Sequence, residues 1–348
     1  MLSKTVSNTL QTCTQKERGI DMDNTTIYEQ LETAIKDAKD ISAKQKQLLF
    51  QNLLHLKKHH VNILITGATG CGKSSTINAL FNTEKAKIGV GVNPETMDIE
   101  RYELGNMILW DSPGLGDGKE ADNRHARNII SKLTELDSNG KPLIDLVLVI
   151  LDGSSRDMGT SYQLINEVII PHLGKNESKR LLVAINQADM AMKGRGWDIE
   201  KNEPQPILQR FLEEKVRSVK RRIKEATGVD VNPIFYSAGF KEEGGIQQAP
   251  YNLSKLMYLI VQATPEEKRI IYVDTANKKP EMWAKDDNLE AYREKTWKDV
   301  VISTTKTLGS TWAGAEIGGA IGMMVAGPVG GAVGTVVGGV IGFFTSLF

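Results

Sequence analysis

Short apolar runs alternate with amphipathic helical segments through the middle of the chain. Six of these runs have the length and the apolar content of buried strands, and they span residues 61–66, 98–104, 107–111, 145–152, 180–186 and 233–237. Apolar residues at helical spacing lie between them, most clearly at 211–226 and 253–263. This alternation predicts an α/β fold with a mostly parallel six-stranded sheet and helices on both faces.

Helical patterns also flank this region. Residues 26–58 carry an apolar stripe that one long helix or two shorter helices would explain. His55, His59 and His60 stand at its end, where we favour cationic residues near a helix C-terminus over a metal site, because no further ligands can be placed. Residues 264–308 are charged, helical in character and sparsely apolar, so we interpret them as a connector.

The stretch after the first strand has the pattern of a phosphate-binding loop. Residues 67–74 fit G-x-x-x-x-G-K-[ST], in which backbone N–H groups converge on phosphate oxygens and the lysine reaches the β- and γ-phosphates. We therefore predict that Lys73 is the catalytic cation and that the Ser74 hydroxyl binds Mg²⁺. The predicted nucleotide contacts are Gly67, Ala68, Thr69, Gly70, Cys71, Gly72, Lys73, Ser74 and Ser75.

A second motif, D-x-x-G, follows the third strand as Asp111 and Gly114. An Asp at a strand terminus can reach Mg²⁺, and the glycine can offer its N–H to a γ-phosphate. Upstream, Thr96 is the candidate for a mobile switch threonine that senses both Mg²⁺ and the γ-phosphate, with Thr83 as its rival. The predicted Mg²⁺ ligands are thus Ser74, Thr96 and Asp111, and Thr96 joins Lys73 as a predicted catalytic residue.

Polar residues after the fifth and sixth predicted strands indicate which base the bound nucleotide carries. The carboxylate of Asp189 can accept both N1–H and the exocyclic N2–H of guanine, a donor pair that adenine lacks, so it selects GTP and GDP. Ser237 and Ala238 can offer a backbone N–H to guanine O6. Asn186 is expected to brace these loops, and Gln187 lies between it and Asp189.

Together these residues resemble the motifs of the Era-like small GTPases of the translation-factor (TRAFAC) class. Residues 67–74 resemble the first motif, Thr96 the second, Asp111 with Gly114 the third, 186–189 the fourth, and Ser237 with Ala238 the fifth. The resemblance covers residues 61–263. It implies a P-loop domain that hydrolyses GTP to GDP and phosphate with Mg²⁺.

The chain departs from the family pattern at three positions. Gln187 replaces a Lys whose stem usually covers the base, so we expect modest nucleotide affinity. Gly70 stands where potassium-activated relatives carry Asn, so Mg²⁺ alone is expected. Leu115 stands where Ras-like enzymes place a water-orienting Gln, so intrinsic hydrolysis should be slow. The other switch, a second protomer or an activating partner would then supply that group. The polar residues near the candidate loops are Asp117, Glu120, Arg124 and Arg156, and we assign none of them as the catalytic base.

The composition of the chain restricts its expected binding partners and its cellular compartment. The 43 basic and 43 acidic residues cancel, and no basic RNA-binding unit follows residue 263, so we do not expect direct binding of nucleic acid. Cys13 and Cys71 are the only cysteines, which fits a reducing cytosol. Residues 1–25 lack the apolar core of a secretory signal, so a flexible leader is expected there.

The C-terminal stretch from residue 317 to residue 348 carries no charge and repeats glycine. Glycines 330, 334, 338 and 342 stand four apart, so a helix would present them on one face for close helix contact, as in a glycine zipper. Residues 328–348 as a helix would measure about 31 Å, near the roughly 30 Å of a bilayer core. Membrane association, oligomeric packing and a buried soluble hairpin stay open, and we favour the membrane.

Two functions follow from this organisation. The predicted segments are a leader (1–25), an N-terminal helical segment (26–60), a GTP-binding domain (61–263), a connector (264–310) and a glycine-rich hairpin (311–348). The favoured function is a GTP-hydrolysing switch in the cytoplasm whose tail engages the inner face of a membrane or forms a homo-oligomer. The alternative is a soluble Era-like GTPase that acts on a ribosomal or other RNA–protein assembly.

Overall fold

The computed structural model describes residues 26–39, 41–81, 83, 87–90, 99–116, 118–174, 177–239 and 248–309. Four predictions lie outside these ranges: the leader, Thr96, Asp117 and the glycine-rich hairpin at 311–348. Within the described ranges, no helix is both long enough and apolar enough to cross a membrane.

A seven-stranded sheet forms the centre of the fold. Its strands are β1 (Val61–Gly67), β2 (Lys87–Val90), β3 (Glu100–Leu104), β4 (Met107–Asp111), β5 (Leu146–Asp152), β6 (Leu181–Asn186) and β9 (Ile234–Phe235), while β7 (Trp197–Asp198) and β8 (Glu203–Pro204) form a separate hairpin. The order is β2-β3-β4-β1-β5-β6-β9. From β4 to β9 all neighbours are parallel, whereas β3 is antiparallel to β2 and β4. The predicted α/β fold class is confirmed.

The predicted number of strands, six, is wrong by one. The missed strand, β2, lies at the sheet edge and pairs only with β3. It has four residues, one of them Gly89, and glycine has low strand propensity, so no apolar run marks it in the sequence. The last strand is shorter than predicted, since Ser237 instead forms an isolated bridge with Tyr251.

Ten α-helices are described. They are α1 (Ile27–Asp37), α2 (Ala43–Leu56), α3 (Lys73–Leu80), α4 (Lys119–Thr134), α5 (Gly159–Gln163), α6 (Glu177–Arg180), α7 (Pro206–Thr227), α8 (Leu253–Ala263), α9 (Ile271–Thr275) and α10 (Tyr292–Thr307). α5 runs on into a π-helix, Leu164–Ile169, and a 3-10 turn, Ile170–His172. Residues 26–58 form two helices, because the backbone turns extended at Ala38 and a capping box at Ser42 and Gln45 starts α2.

Two apolar layers cover the sheet, and alternating residues of the central strands enter each. In β1, Ile63 and Ile65 pack into one layer and Leu64 into the other, as the two-residue period of a strand requires. The first layer includes α1, α2, α3 and α8, and the second includes α4, α7 and the π-helix. The central strands are therefore buried on both faces, and polar groups can emerge only at their ends.

Both flanks of the predicted GTP-binding domain share its first apolar layer. Residues 270–308 contribute Trp283, Trp297, Val300 and Val301 to it, all less than 10% exposed. The N-terminal flank is tied to the same region where the Ile27 N–H donates to Asp274 Oδ1 at 3.0 Å. The division of the chain into segments stays a prediction, but the described flanks pack as one body with the sheet.

Candidate nucleotide site

The phosphate loop joins β1 to α3 across the end of the sheet. Gly72 precedes α3 with a left-handed φ of 91°, and no side chain caps the first N–H groups of the helix. A Cβ at Gly72 would lie 2.2 Å from Asn186 Nδ2, so only glycine fits. The loop therefore presents the backbone N–H groups and the positive end of the α3 dipole to the space beyond the strands, where an anion would bind.

Two buried hydroxyls hold α3 against the sheet. The Thr76 hydroxyl donates to the Gly72 carbonyl at 2.8 Å, so the Tyr236 hydroxyl must donate to Thr76 Oγ1 at 2.7 Å. Tyr236 is fully buried, and burial raises the pKa of its phenol. Sequence reasoning missed both residues, because a threonine within a helix and a tyrosine after a short strand carry no motif.

Asp111 ends β4 beside Ile65 of β1, and the next N–H, that of Ser112, donates to the Ile65 carbonyl at 3.0 Å. The Asp111 Oδ1 atom is buried and has no hydrogen-bond partner among the described residues. Burial raises the pKa of Asp111 to about 6, although nearby Lys73 opposes the rise. An orphaned, buried carboxylate oxygen fits a site for a divalent cation. Ser74, the other predicted ligand among the described residues, is exposed at the start of α3.

Gly114 lies against the phosphate loop. A Cβ on Gly114 would stand 2.4 Å from the Thr69 backbone N, so the contact admits only glycine. The next residue, Leu115, turns into the second apolar layer and is 5% exposed. The side chain at the position of a water-orienting Gln is thus part of the core rather than of the phosphate site.

Asn186, at the end of β6, joins three loops. Its Nδ2 donates to the Cys71 carbonyl at 2.9 Å, and its Oδ1 accepts the Ala238 N–H at 3.0 Å. Asn186 is 2% exposed, so both bonds are shielded from water. The expected bracing role of Asn186 is confirmed by these contacts.

The neighbours of Asn186 extend this brace. Gln187 has a left-handed φ of 59°, and its Nε2 donates to the Gly70 carbonyl at 2.8 Å, so its side chain contacts the phosphate loop. Asp189 follows in the 3-10 helix Ala188–Gly194 and is 8% exposed. The Ala188 N–H donates to the Tyr236 carbonyl, which places this turn beside the loop after β9.

The two backbone N–H groups predicted to donate to guanine O6, those of Ser237 and Ala238, both donate hydrogen bonds to acceptors within the protein. The Ser237 N–H donates to the Tyr251 carbonyl at 3.0 Å, and the Ala238 N–H donates to Asn186. Recognition of O6 by Ala238 therefore requires that this N–H be shared with, or released from, Asn186. The sequence could not show this competition, because it arises between residues 52 positions apart.

Cys71 lies inside the phosphate loop and is fully buried. Burial raises the pKa of its thiol to about 11, with Lys73 opposing. The thiol is therefore protonated at neutral pH and fills space instead of acting as a nucleophile.

The remaining sequence candidates lie outside the phosphate loop, after α3, in α4 and after β5. Thr83 donates to Asn78 Oδ1 at 2.8 Å, next to the end of α3. Glu120, Arg124 and Arg156 are exposed. Sequence reasoning missed Lys215, whose Nζ donates to the carbonyls of Gly153 and Ser155 at 2.6 and 2.7 Å and so fixes the loop after β5.

Comparison with known proteins identifies the domain. Residues 62–187 match a family model described as 50S ribosome-binding GTPase. The chain is 29% identical over 168 residues to the uncharacterized protein YfjP of Escherichia coli K12, covering 47% of this chain and 54% of YfjP. It is 26% identical over 175 residues to the tRNA modification GTPase MnmE of Bacteroides thetaiotaomicron, covering 50% of this chain and 34% of MnmE. The chain thus spans between a third and about half of the length of these two relatives.

Among solved structures, the G domain of the T. maritima FeoB iron transporter aligns with a TM-score of 0.34 and 17% identity, over 59% of this chain and 99% of that domain. The family match is the finding that bears on chemistry, because it spans the phosphate loop, Asp111, Gly114 and Asn186. Residues 62–187 thus belong to a P-loop GTPase domain, and domains of this class bind GTP and GDP with Mg²⁺ and hydrolyse GTP.

Proposed function

We propose that the whole chain is a GTP-driven switch with slow, Mg²⁺-dependent hydrolysis. The observation that carries the proposal is the pair of hydrogen bonds made by the buried Asn186 side chain, to Cys71 and to Ala238. They tie the phosphate loop to the turn that carries Asp189. The groups that would bind the phosphates and the groups that would bind the base are therefore connected to each other. This connection favours tight binding of one nucleotide, to whose state the loops can respond.

Each group in this frame has a proposed role. Backbone N–H groups of residues 67–75 and the Lys73 ammonium would hold the phosphates. Ser74 and Asp111, with Thr96 from outside the described residues, would hold Mg²⁺, which supplies charge neutralisation at the β- and γ-phosphates. The Gly114 N–H would meet the γ-phosphate, and Asp189 would accept the two guanine N–H groups.

Slow hydrolysis follows from the burial of Leu115. Its apolar side chain lies in the core, so it cannot orient an attacking water. We propose that a second protomer or an activating partner supplies this group. Within the described residues, the exposed Glu120, Arg124 and Arg156 are the candidates.

The rate at which the Lys73→Ala variant releases phosphate from GTP tests the assignment of the phosphate site. We expect a rate at least 100-fold below wild type, since removal of a group that stabilises transition-state charge typically costs about 10²–10³ in rate. Lys44→Ala, at an exposed lysine of α2, is the charge-matched control and should hydrolyse GTP at the wild-type rate. A normal rate in Lys73→Ala would exclude the assigned phosphate site.

For residues 311–348, we propose contact with a membrane or formation of a homo-oligomer, controlled by the bound nucleotide. Support comes from the sequence alone, from the uncharged character of residues 317–348 and from their glycine spacing. Liposome flotation tests it, with the intact chain and a chain that ends at Gly309. The cut belongs there because Leu308 is buried and its carbonyl accepts from Asn52 at 2.9 Å. An intact chain that stays soluble with GTP, with GDP and without nucleotide excludes membrane binding.

A second candidate is a soluble Era-like GTPase that acts on a ribosomal particle. The description of the matching family model, 50S ribosome-binding GTPase, favours it. Cosedimentation of the chain with 50S particles in the presence of a non-hydrolysable GTP analogue, but not GDP, would support this function over the first. No cosedimentation with either nucleotide would exclude it.

A further inference from the structure

Helix α4 grips the loop that carries Gly114 with two side chains. His125 Nδ1 lies 3.0 Å from the Gly114 carbonyl oxygen, and Asp122 Oδ1 accepts the Gly116 N–H at 2.8 Å. Residues three apart lie on the same side of a helix, so the two contacts form one clasp. We call this pair, Asp122 and His125, the α4 clasp.

The polarity of the His125 contact is fixed by its partner. A carbonyl oxygen can only accept, so Nδ1 of His125 must carry a hydrogen and donate it. His125 is 6% exposed, which keeps water from replacing the bond. Between the two gripped residues, Leu115 is buried in the core.

Gly114 has contacts on two sides, with the phosphate loop and with α4. Towards the phosphate loop, a Cβ on Gly114 would lie 2.4 Å from Thr69 N and 2.7 Å from Thr69 Oγ1, so the Gly114 backbone lies directly against that loop. Away from the loop, its carbonyl is held by His125 and the next side chain is anchored in the core. The clasp thus removes backbone freedom that a glycine would otherwise keep.

We infer that His125 is a positioning residue for nucleotide sensing: the α4 clasp holds Gly114 in the orientation in which its N–H can meet a γ-phosphate, and so sets the preference for GTP over GDP. The inference rests on the proposed function, which gives Gly114 its contact with the γ-phosphate. It assigns a role in nucleotide sensing to His125, which lies in no sequence motif. It also makes α4 the helix that is coupled to the γ-phosphate through Gly114.

The effect is selective for the triphosphate. GDP has no γ-phosphate, so its binding does not use the Gly114 N–H. Loss of the His125 bond should weaken binding of a GTP analogue about fivefold, the fold-change that corresponds to one lost hydrogen bond, and leave GDP binding unchanged.

Equilibrium binding of GDP and of a non-hydrolysable GTP analogue to the intact chain tests this inference. His125→Leu removes the donor and keeps the bulk, whereas His125→Asn places an amide N–H where Nδ1 stood. His172→Leu is the matched control, because His172 Nδ1 also bonds a carbonyl, that of Val168 at 2.8 Å, in the turn before Leu173. That turn lies at the opposite end of the sheet, since Arg180, just before β6, donates to the Leu173 carbonyl.

We expect His125→Leu to lose about fivefold in the ratio of GTP-analogue to GDP affinity, His125→Asn to recover most of it, and His172→Leu to keep the wild-type ratio. If His125→Leu does not fold, Asp122→Ala opens the other half of the clasp and should lower the same ratio. An unchanged ratio, or equal weakening of both nucleotides, overturns the inference. A wild-type chain that binds neither nucleotide would instead refute the proposed function.

Discussion

Replacement of Asn186 by alanine should weaken both the fold and the nucleotide site, because one side chain serves both. The substitution removes two buried hydrogen bonds and leaves the Cys71 carbonyl and the Ala238 N–H without partners. Each orphaned buried group costs about 1–3 kcal/mol, so we expect a loss of about 2–6 kcal/mol in the free energy of unfolding. This is a large share of the roughly 5–15 kcal/mol that stabilises a typical domain.

Asn252 offers a control with the same chemistry elsewhere. It is fully buried, its Nδ2 donates to the Phe235 carbonyl at 3.1 Å, and its Oδ1 accepts the Asp287 N–H at 2.8 Å. Neither bond reaches the phosphate loop. Its left-handed φ of 58° makes alanine strained there, so Asn252→Ala should destabilise the fold at least as much as Asn186→Ala.

Thermal unfolding with and without Mg·GDP separates the two effects. A nucleotide at about 100 times its Kd stabilises the native state by about 2.7 kcal/mol, and each tenfold loss of affinity removes about 1.4 kcal/mol of this. We expect Asn252→Ala to keep the wild-type shift in Tm on addition of nucleotide, and Asn186→Ala to lose most of it. An equal shift in both variants would show that Asn186 only supports the fold.

Three further predictions follow from the same geometry. Asp189→Asn should lower GTP affinity at least about 100-fold and raise affinity for XTP, because an amide N–H matches the C2 carbonyl of xanthine; titration of both nucleotides checks this, and unchanged GTP affinity would contradict it. The pKa of Asp111 lies near 6 in the metal-free fold against 3.8 for an ordinary Asp, so the folded state loses stability as pH rises from about 4 to 6. Asp111→Asn should therefore raise the free energy of unfolding of the metal-free chain in urea by up to about 3 kcal/mol at pH 8, and by little at pH 4. In the same variant, Mg²⁺ should no longer tighten GTP binding. Equal stability of the variant and the wild type at pH 8 would contradict the burial of that charge. Tyr236→Phe should cost about 1 kcal/mol in the free energy of unfolding through its lost bond to Thr76, and a neutral result in the same urea titration would show that the bond adds nothing.

The sequence predicted the parts of the site that depend on spacing along one segment. The phosphate loop, Asp111 and Asn186 follow strands, and the carboxyl ends of parallel strands meet at one edge, so their convergence could be inferred before any contact was known. Leu115 could likewise be recognised as unable to orient water, although its place in the core required the structure.

The contacts that complete the site join residues far apart in the chain. The bond between Asn186 and Cys71 spans 115 positions, and that between Tyr236 and Thr76 spans 160, so no local pattern predicts either partner. Strand β2 was missed because an edge strand need not be apolar. The buried contribution of residues 270–308 was underestimated because their few large apolar side chains are scattered among charges, although Trp297, Val300 and Val301 share one buried side of α10.

Calorimetric titration of the intact chain with GTP and with ATP, each with Mg²⁺ and with the metal chelated, tests both the base specificity and the metal dependence of the site. We predict that Mg·GTP binds at least about 100-fold more tightly than Mg·ATP, since adenine cannot satisfy the buried Asp189 carboxylate, and that removal of Mg²⁺ weakens GTP binding. Equal affinity for the two nucleotides, or GTP binding that does not depend on Mg²⁺, would show that these loops do not form a guanine-specific, metal-dependent switch.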